Sequence, residues 1–253
     1  MTLAFWDSID VTGRNLRVLL RTPQALVFAT IQPVIFVLLF RYAFGGAIHV
    51  PGVDYVYFLM PGVFAQSVCF GAIGTAVGLA TDLRSGILVR FRTLPMSRVA
   101  VLAGRVTADL VRNLAVVVVM AGVGFAVGFR STNGFAALVA ALGLVLLFSY
   151  AITWVFVTLG LRVSDPEAAQ AIGVPIMFLL VFTSSAFVPS AALPGWLQAI
   201  CAHQPVNALV NAERALITGG AAAHDVLISV AWSAGILLVF AALAVRTYAR
   251  MSR

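Results

Sequence analysis

Residues that could do covalent or metal chemistry are few in this chain, and they form no working set. His203 and His224 lack partners at metal-ligand spacing, and water-exposed loop histidines are the simpler reading of both. Cys69 falls inside an apolar run and Cys201 in a loop-like stretch, again without metal spacing. Ser184 and Ser185 have no histidine in the apolar segments to act as a base, which argues against an intramembrane protease or lipid-modifying enzyme. All 16 cationic residues are arginine, so a GxxxxGK[ST] phosphate loop, which needs lysine, is not expected to be formed here. No catalytic or metal-binding residue is assigned. What remains is the island Asp82 to Arg98, DLRSGILVRFRTLPMSR, whose chemistry is electrostatic and mechanical: cations on a partly amphipathic piece between two apolar runs.

The elements around that island must be membrane helices. Hydrophobic residues make up 62% of the chain and charged residues only 10%, far from the balance of a soluble domain. Apolar segments run over 24–44, 55–80, 113–129, 135–161, 168–188 and 226–245. Each is near or above the roughly 20 residues that a helix needs to cross about 30 Å of hydrocarbon. They are too long for barrel strands and lack period-two polarity, so the expected fold is an all-α polytopic bundle of six transmembrane helices. With both ends on one side, arginines 14, 17, 21, 84, 90, 92, 98, 105, 112, 162, 246, 250 and 253 share a face, and only Arg41, Arg130 and Arg214 lie opposite. The positive-inside rule then places both termini and the island in the cytoplasm. Arginines scattered in short clusters between spans do not form a nucleic-acid face, so no nucleic-acid partner is expected. The absence of lysine fits a high-GC coding genome, and from it we expect a bacterial plasma-membrane protein.

Residues 1–22 precede the first span. Phe5, Ile9, Leu16 and Leu20 share one helical sector while Asp7, Arg14 and Asn15 lie elsewhere, with Arg17 off the pattern. This suits a helix lying along the inner interface, or an ordinary amphipathic leader. Arg14, Arg17 and Arg21 follow an acidic start and no small-residue cleavage site closes the next apolar run, so the first span is expected to be retained. Within the island, Leu83, Ile87, Phe91 and Leu94 gather on one side of a helical wheel and Arg84 and Arg92 on the other. Thr81 or Asp82 is placed to cap such a helix, and Pro95 to stop it. The residues alone allow either this surface helix or a loop whose arginines only enforce topology.

Two stretches carry a resemblance. GILVRFRTLPMSRVAVLAGRVTADLVRN, before the third span, resembles the corresponding part of ABC-2 type transporter permeases, in particular the daunorubicin/doxorubicin-resistance branch. SSAFVPSAALPGWLQAICAHQPVNALVNAERAL resembles that family's region between the fifth and sixth spans, with Gln204–Pro205 where an asparagine–proline pair is usual. The resemblance implies one ABC-2 transmembrane domain over residues 1–253, with an N-terminal interfacial helix, a cytoplasmic coupling helix within 82–98, and an outer loop, 189–225, with short outer-leaflet helices. It implies a permease subunit, not itself an enzyme, that exports an amphiphilic drug or lipid. Its partners would be two copies of an ABC ATPase subunit, which holds ATP and Mg, and a second permease, identical or homologous. The coupling residues would be Leu83, Ile87, Arg90, Phe91, Arg92, Leu94 and Pro95. No cofactor is expected on this chain itself.

The remaining polar and small residues have competing readings. Gly74 and Gly78, and Gly124 and Gly128, form small-xxx-small pairs that pack helices within one subunit or at a dimer seam. Asp109, with Arg105 four residues before and Arg112 three after, is expected to be neutralised by both. Gln32, Phe36, Gln66, Phe70, Ser184 and Trp196 are candidates to line a substrate route, although polar span residues commonly bond to neighbouring helix backbones and Trp196 suits a plain interfacial anchor. Every carboxylate is expected at or beyond a span end. That argues against the main alternative, an ion-coupled secondary transporter, which needs a buried charge.

Overall fold

Two helices of this chain start at an aspartate that satisfies a first-turn N–H. The computed structural model of the protein describes residues 12–13, 23–45, 54–86 and 98–251. Asp54 opens the central helix by accepting from the Val56 N–H at 3.4 Å, and Asp165 caps another by accepting from Ala168 N–H at 3.2 Å, with Pro166 at its first position. In chain order the helices are α1 (Pro23–Leu38, prolonged by a π-helical turn Leu39–Phe44), α2 (Tyr55–Arg84), α3 (Arg98–Ala126) and α4 (Gly134–Arg162). They are followed by α5 (Pro166–Phe182), a single 3₁₀ turn Ser190–Ala192, α6 (Gly195–Ala202), α7 (Pro205–Thr218) and α8 (Ala222–Arg250). No strand occurs among the described residues.

Four of these helices, α2, α3 from Val101, α4 and α8, are long and apolar enough to cross a membrane, while Thr30–Ala43 and α5 are shorter apolar helices. α2 is the axle of the bundle: 20 of its residues are buried, all round its circumference, whereas α8 buries four. One end of the bundle gathers Arg84, Arg105, Arg162, Arg246 and Arg250; the opposite end carries the start of α2, the end of α5 and the short helices α6 and α7.

Three expectations need correction. The third apolar segment, expected from Asn113, is the second half of a helix that already begins at Arg98, because 98–112 is rich in Ala, Leu, Val and Arg, contains no proline, and has Gly104 as its one glycine. Asp109 therefore lies inside a helix long enough to span and is 9% exposed, so carboxylates are not confined to span ends; Glu213, beyond α5 in the short helix α7, is nevertheless fully buried. Thr81 and Asp82 start no new helix: they belong to the last turns of α2, which stops at Arg84 and is followed by Gly86 at φ +73°, a left-handed conformation that favours glycine. Ile87, Arg90, Phe91, Arg92, Leu94 and Pro95 lie outside the described residues, as does most of 1–22. Of that N-terminal segment, Thr12 donates to the Gly104 carbonyl of α3 at 3.0 Å.

The segment expected to be helical to residue 188 leaves helical geometry after Phe182, and its polar backbone is answered by α7. Ser185 N–H donates to Asn207 Oδ1 at 3.1 Å, and Arg214 donates to the carbonyls of Ser185, Ala186 and Phe58 while its guanidinium lies 3.6 Å from the Phe58 ring centroid. Irregular backbone packed inside the bundle is tolerable because protein groups replace the missing helix bonds. The turn also rests directly on α2, since a Cβ at Gly62 would fall on the Ala186 carbonyl; at the α2–α4 crossing, a Cβ at Gly160 would stand 2.7 Å from the Ala76 oxygen. Arg214 is thus a structural clamp, and Glu213 beside it points elsewhere, with neither carboxylate oxygen hydrogen-bonded among the described residues.

Two outcomes follow from this packing. Gly62→Ala and Gly160→Ala should each destabilise the bundle by about 1–3 kcal/mol, read as a lower thermal-unfolding midpoint in detergent micelles. Burial pushes the Glu213 carboxyl well above the usual carboxylate range, with the Arg214 charge opposing that rise. A raised native value means that the fold loses stability as pH climbs from the ordinary carboxylate range towards that value. Glu213→Gln, neutral throughout, should therefore unfold at a higher temperature than the parent at about pH 8, with the gap closing at about pH 4.

Candidate functional site

The site begins with an absence of side chains. Gly71, Gly74 and Gly78 form a bare face on α2, and opposite it α3 presents Arg105, Asp109 and Arg112, which share a helical face by their spacing of four and three. A Cβ at Gly74 would stand 3.3 Å from Arg112 Nη1, and one at Gly78 would collide with the Arg105 guanidinium. The Gly74 and Gly78 pair does act within one subunit, but it accommodates arginine side chains rather than another helix backbone. Of the second pair, Gly124 accommodates Met60 and Phe129, while Gly128 has φ +96° in the turn that ends α3.

The charges on this seam are matched in order. Arg105 Nη1 pairs with Asp82 Oδ2 at 2.5 Å, both side chains being 17% exposed. Arg112 Nη1 lies 3.0 Å from Asp109 Oδ1, and Thr75 Oγ1 donates to the other carboxylate oxygen at 2.6 Å. Arg112 Nη2 donates to the Gly71 carbonyl at 2.7 Å, and Asn113 Nδ2 to Ser149 Oγ of α4 at 2.7 Å. Asp109 is thus neutralised by Arg112 and hydrogen-bonded by Thr75, and Arg105, expected to share it, reaches across to Asp82 instead. The cost of taking each ion out of water is offset only because its partners are already in place. An exposed pair, Arg84 to Asp165 at 3.5 Å, adds a weak tie from α2 to the α4–α5 turn.

Beside the seam lies a cavity of about 230 Å³ between α1, α2 and α3. Gln32, Gln66, Ser67, Phe70, Arg112 and Asn113 line it together with Pro33, Val116 and the two glycines Gly71 and Gly74. Three of the six candidate route residues, Gln32, Gln66 and Phe70, therefore meet in one place. Phe36 does not line it: its ring packs 5.9 to 6.5 Å from those of Phe40, Phe182 and Phe187. Ser184 is buried in the turn after α5, donating to the Val181 carbonyl, and Trp196 is 69% exposed on α6. Leu83 is half-buried at the end of α2 and packs against the cluster of Val101, Leu102, Val106, Leu161 and Tyr248. Ser67, Thr75, Asp109, Arg112 and Asn113 were not singled out as site residues; the matching signal was the glycine spacing on α2 opposite the charge spacing on α3.

Comparison with known proteins agrees with this architecture. The pattern of the family "ABC-2 type transporter" matches residues 11–217. The chain is 35% identical over 226 residues to the daunorubicin resistance ABC transporter permease protein DrrB1 of Streptomyces coeruleorubidus, covering 89% of this chain and 80% of that one. It is 26% identical over 231 residues to the probable doxorubicin resistance ABC transporter permease protein DrrC of Mycobacterium tuberculosis, covering 91% and 83%. Over 200 residues it is 24% identical to the putative transport permease ycf38 of Pyropia yezoensis, covering 78% and 68%. Likeness over most of the chain, joined to a bundle of long apolar helices, makes this a multi-pass membrane protein that belongs to the ABC-2 type transporter family of permease subunits.

Proposed function

We propose that this chain is the membrane-spanning subunit of an ATP-driven exporter that moves an amphiphilic drug or lipid out of the cell. In this reading six helices cross a bacterial plasma membrane, α1 and α5 with the four longer ones, and both termini and residues 82–98 are cytoplasmic. Two copies of an ATPase subunit bind ATP and Mg, and a second permease, identical or homologous, completes the route. The observation that carries the reading is the Asp82–Arg105 pair, which ties α2 to α3 beside the two ends of the segment 87–97 that joins them. A push on that segment would move both helices together, and the seam continues from there through Asp109 and Arg112 to the cavity wall. Ion coupling is set aside by family membership, not by the position of the carboxylates, since Asp109 and Glu213 are both buried.

The test is to charge the apolar face of the coupling segment. Ile87→Glu, Phe91→Glu and Leu94→Glu combined should leave membrane insertion intact, abolish co-purification of the ATPase subunit and reduce ATP-dependent efflux to background. Normal assembly and efflux in that variant would refute the coupling role.

A further inference from the structure

The cavity between α1, α2 and α3 has a specific electrostatic character. Among the described residues its one charged lining residue, Arg112, is already matched by Asp109 and the Gly71 carbonyl, and Asp109 is matched by Arg112 and Thr75. An anion entering there would compete with Asp109 for Arg112, and a cation would compete with Arg112 for the same carboxylate. Either competition weakens a partly buried pair, which disfavours a charged occupant relative to a neutral one.

What the cavity offers instead is hydrogen-bond acceptance. Gln66 is 2% exposed, lines the cavity, and its amide oxygen has no partner among the described residues. As placed that oxygen is buried against protein, and a half-turn of the amide, which exchanges oxygen and nitrogen, presents it to a ligand without moving the helix. Ser67 Oγ donates to the Val63 carbonyl at 2.7 Å, which leaves its lone pairs to accept. The Asn113 amide, by contrast, is engaged at both ends, by Ser149 and by Arg112. Size adds a limit: 230 Å³ exceeds the roughly 150 Å³ of a cavity that holds benzene, yet falls below the range of about 300–1,000 Å³ for whole drug-sized ligands. α1 and α3, which line the cavity, also carry exposed aliphatic side chains next in sequence to or one turn from lining residues, Ile31 and Ile35 on α1 and Val111 and Leu114 on α3.

We infer that this cavity binds the uncharged, hydroxyl- or amide-bearing head of an amphiphile, one ring in size, with Gln66 and Ser67 accepting its hydrogen bonds while the apolar remainder lies along the aliphatic rim. The inference names the chemical class of ligand for the exporter reading above and rests on it for physiological meaning, but its test does not use transport. The purified full chain, in lipid nanodiscs without any ATPase subunit, is titrated with tritiated decyl glucoside, and decyl sulfate and decyltrimethylammonium serve as competitors. Decyl glucoside should bind saturably, and the two charged analogues should compete at least about tenfold less well than unlabelled decyl glucoside. Gln66→Leu, which keeps the volume and removes the acceptor, should weaken binding about tenfold, and Val116→Phe, which fills the cavity from α3, should remove it. Equal competition by all three head groups would mean non-selective filling by detergent or lipid and would overturn the inference. So would unchanged binding in both variants, each checked for a native elution profile. Failure of efflux with intact glucoside binding would instead count against the exporter reading alone.

Discussion

Burying an arginine between two helices in an apolar bundle requires a partner within hydrogen-bonding reach and room for a planar guanidinium, and that double requirement organises α2 and α3. The glycines of α2 provide the room, and Asp82, Asp109, Thr75 and the Gly71 carbonyl provide the partners. Each carboxylate of the seam has an arginine partner, so its charges balance locally. The neighbouring cavity therefore presents amides, a hydroxyl and an aromatic ring rather than a net field.

The same rule appears at the opposite end, where two arginines meet backbone carbonyls and a third meets a carboxylate. Arg214 serves the carbonyls that the turn after α5 leaves without helical donors, Arg130 donates to the Phe125 and Phe129 carbonyls at the end of α3, and Arg41 pairs with Asp54 at the start of α2. The three arginines that break the charge asymmetry of the chain thus each have a local structural task. These local partners account for three arginines at the end of the bundle opposite the arginine-rich one.

Much of the bundle was legible from hydropathy, because a span must be a long apolar run whatever it packs against. Reading failed where a helix carries charge inward. Hydropathy began the third segment at Asn113, since a run containing Arg105, Asp109 and Arg112 resembles a loop; the helix starts at Arg98 because those charges meet the bare face of α2 and not lipid. Gln32, Gln66 and Phe70 were recognised as polar or aromatic interruptions of apolar runs and do share a cavity. Phe36, Ser184 and Trp196 met the same criterion and are elsewhere, since a criterion of residue type contains no information on which helices are neighbours.

The chain alone determined that it is an all-helical membrane protein, that its charge is asymmetric, and that it is similar to ABC-2 permeases, for composition and period are local properties fixed by the solvent each segment must meet. Only the tertiary structure decided which charge meets which. Arg105 turned out to choose Asp82, 23 residues away, over Asp109, one turn along its own helix, because the glycine face of α2 let the guanidinium cross between helices. Pairings of that kind depend on the distance between helix axes, and no single-helix pattern encodes it.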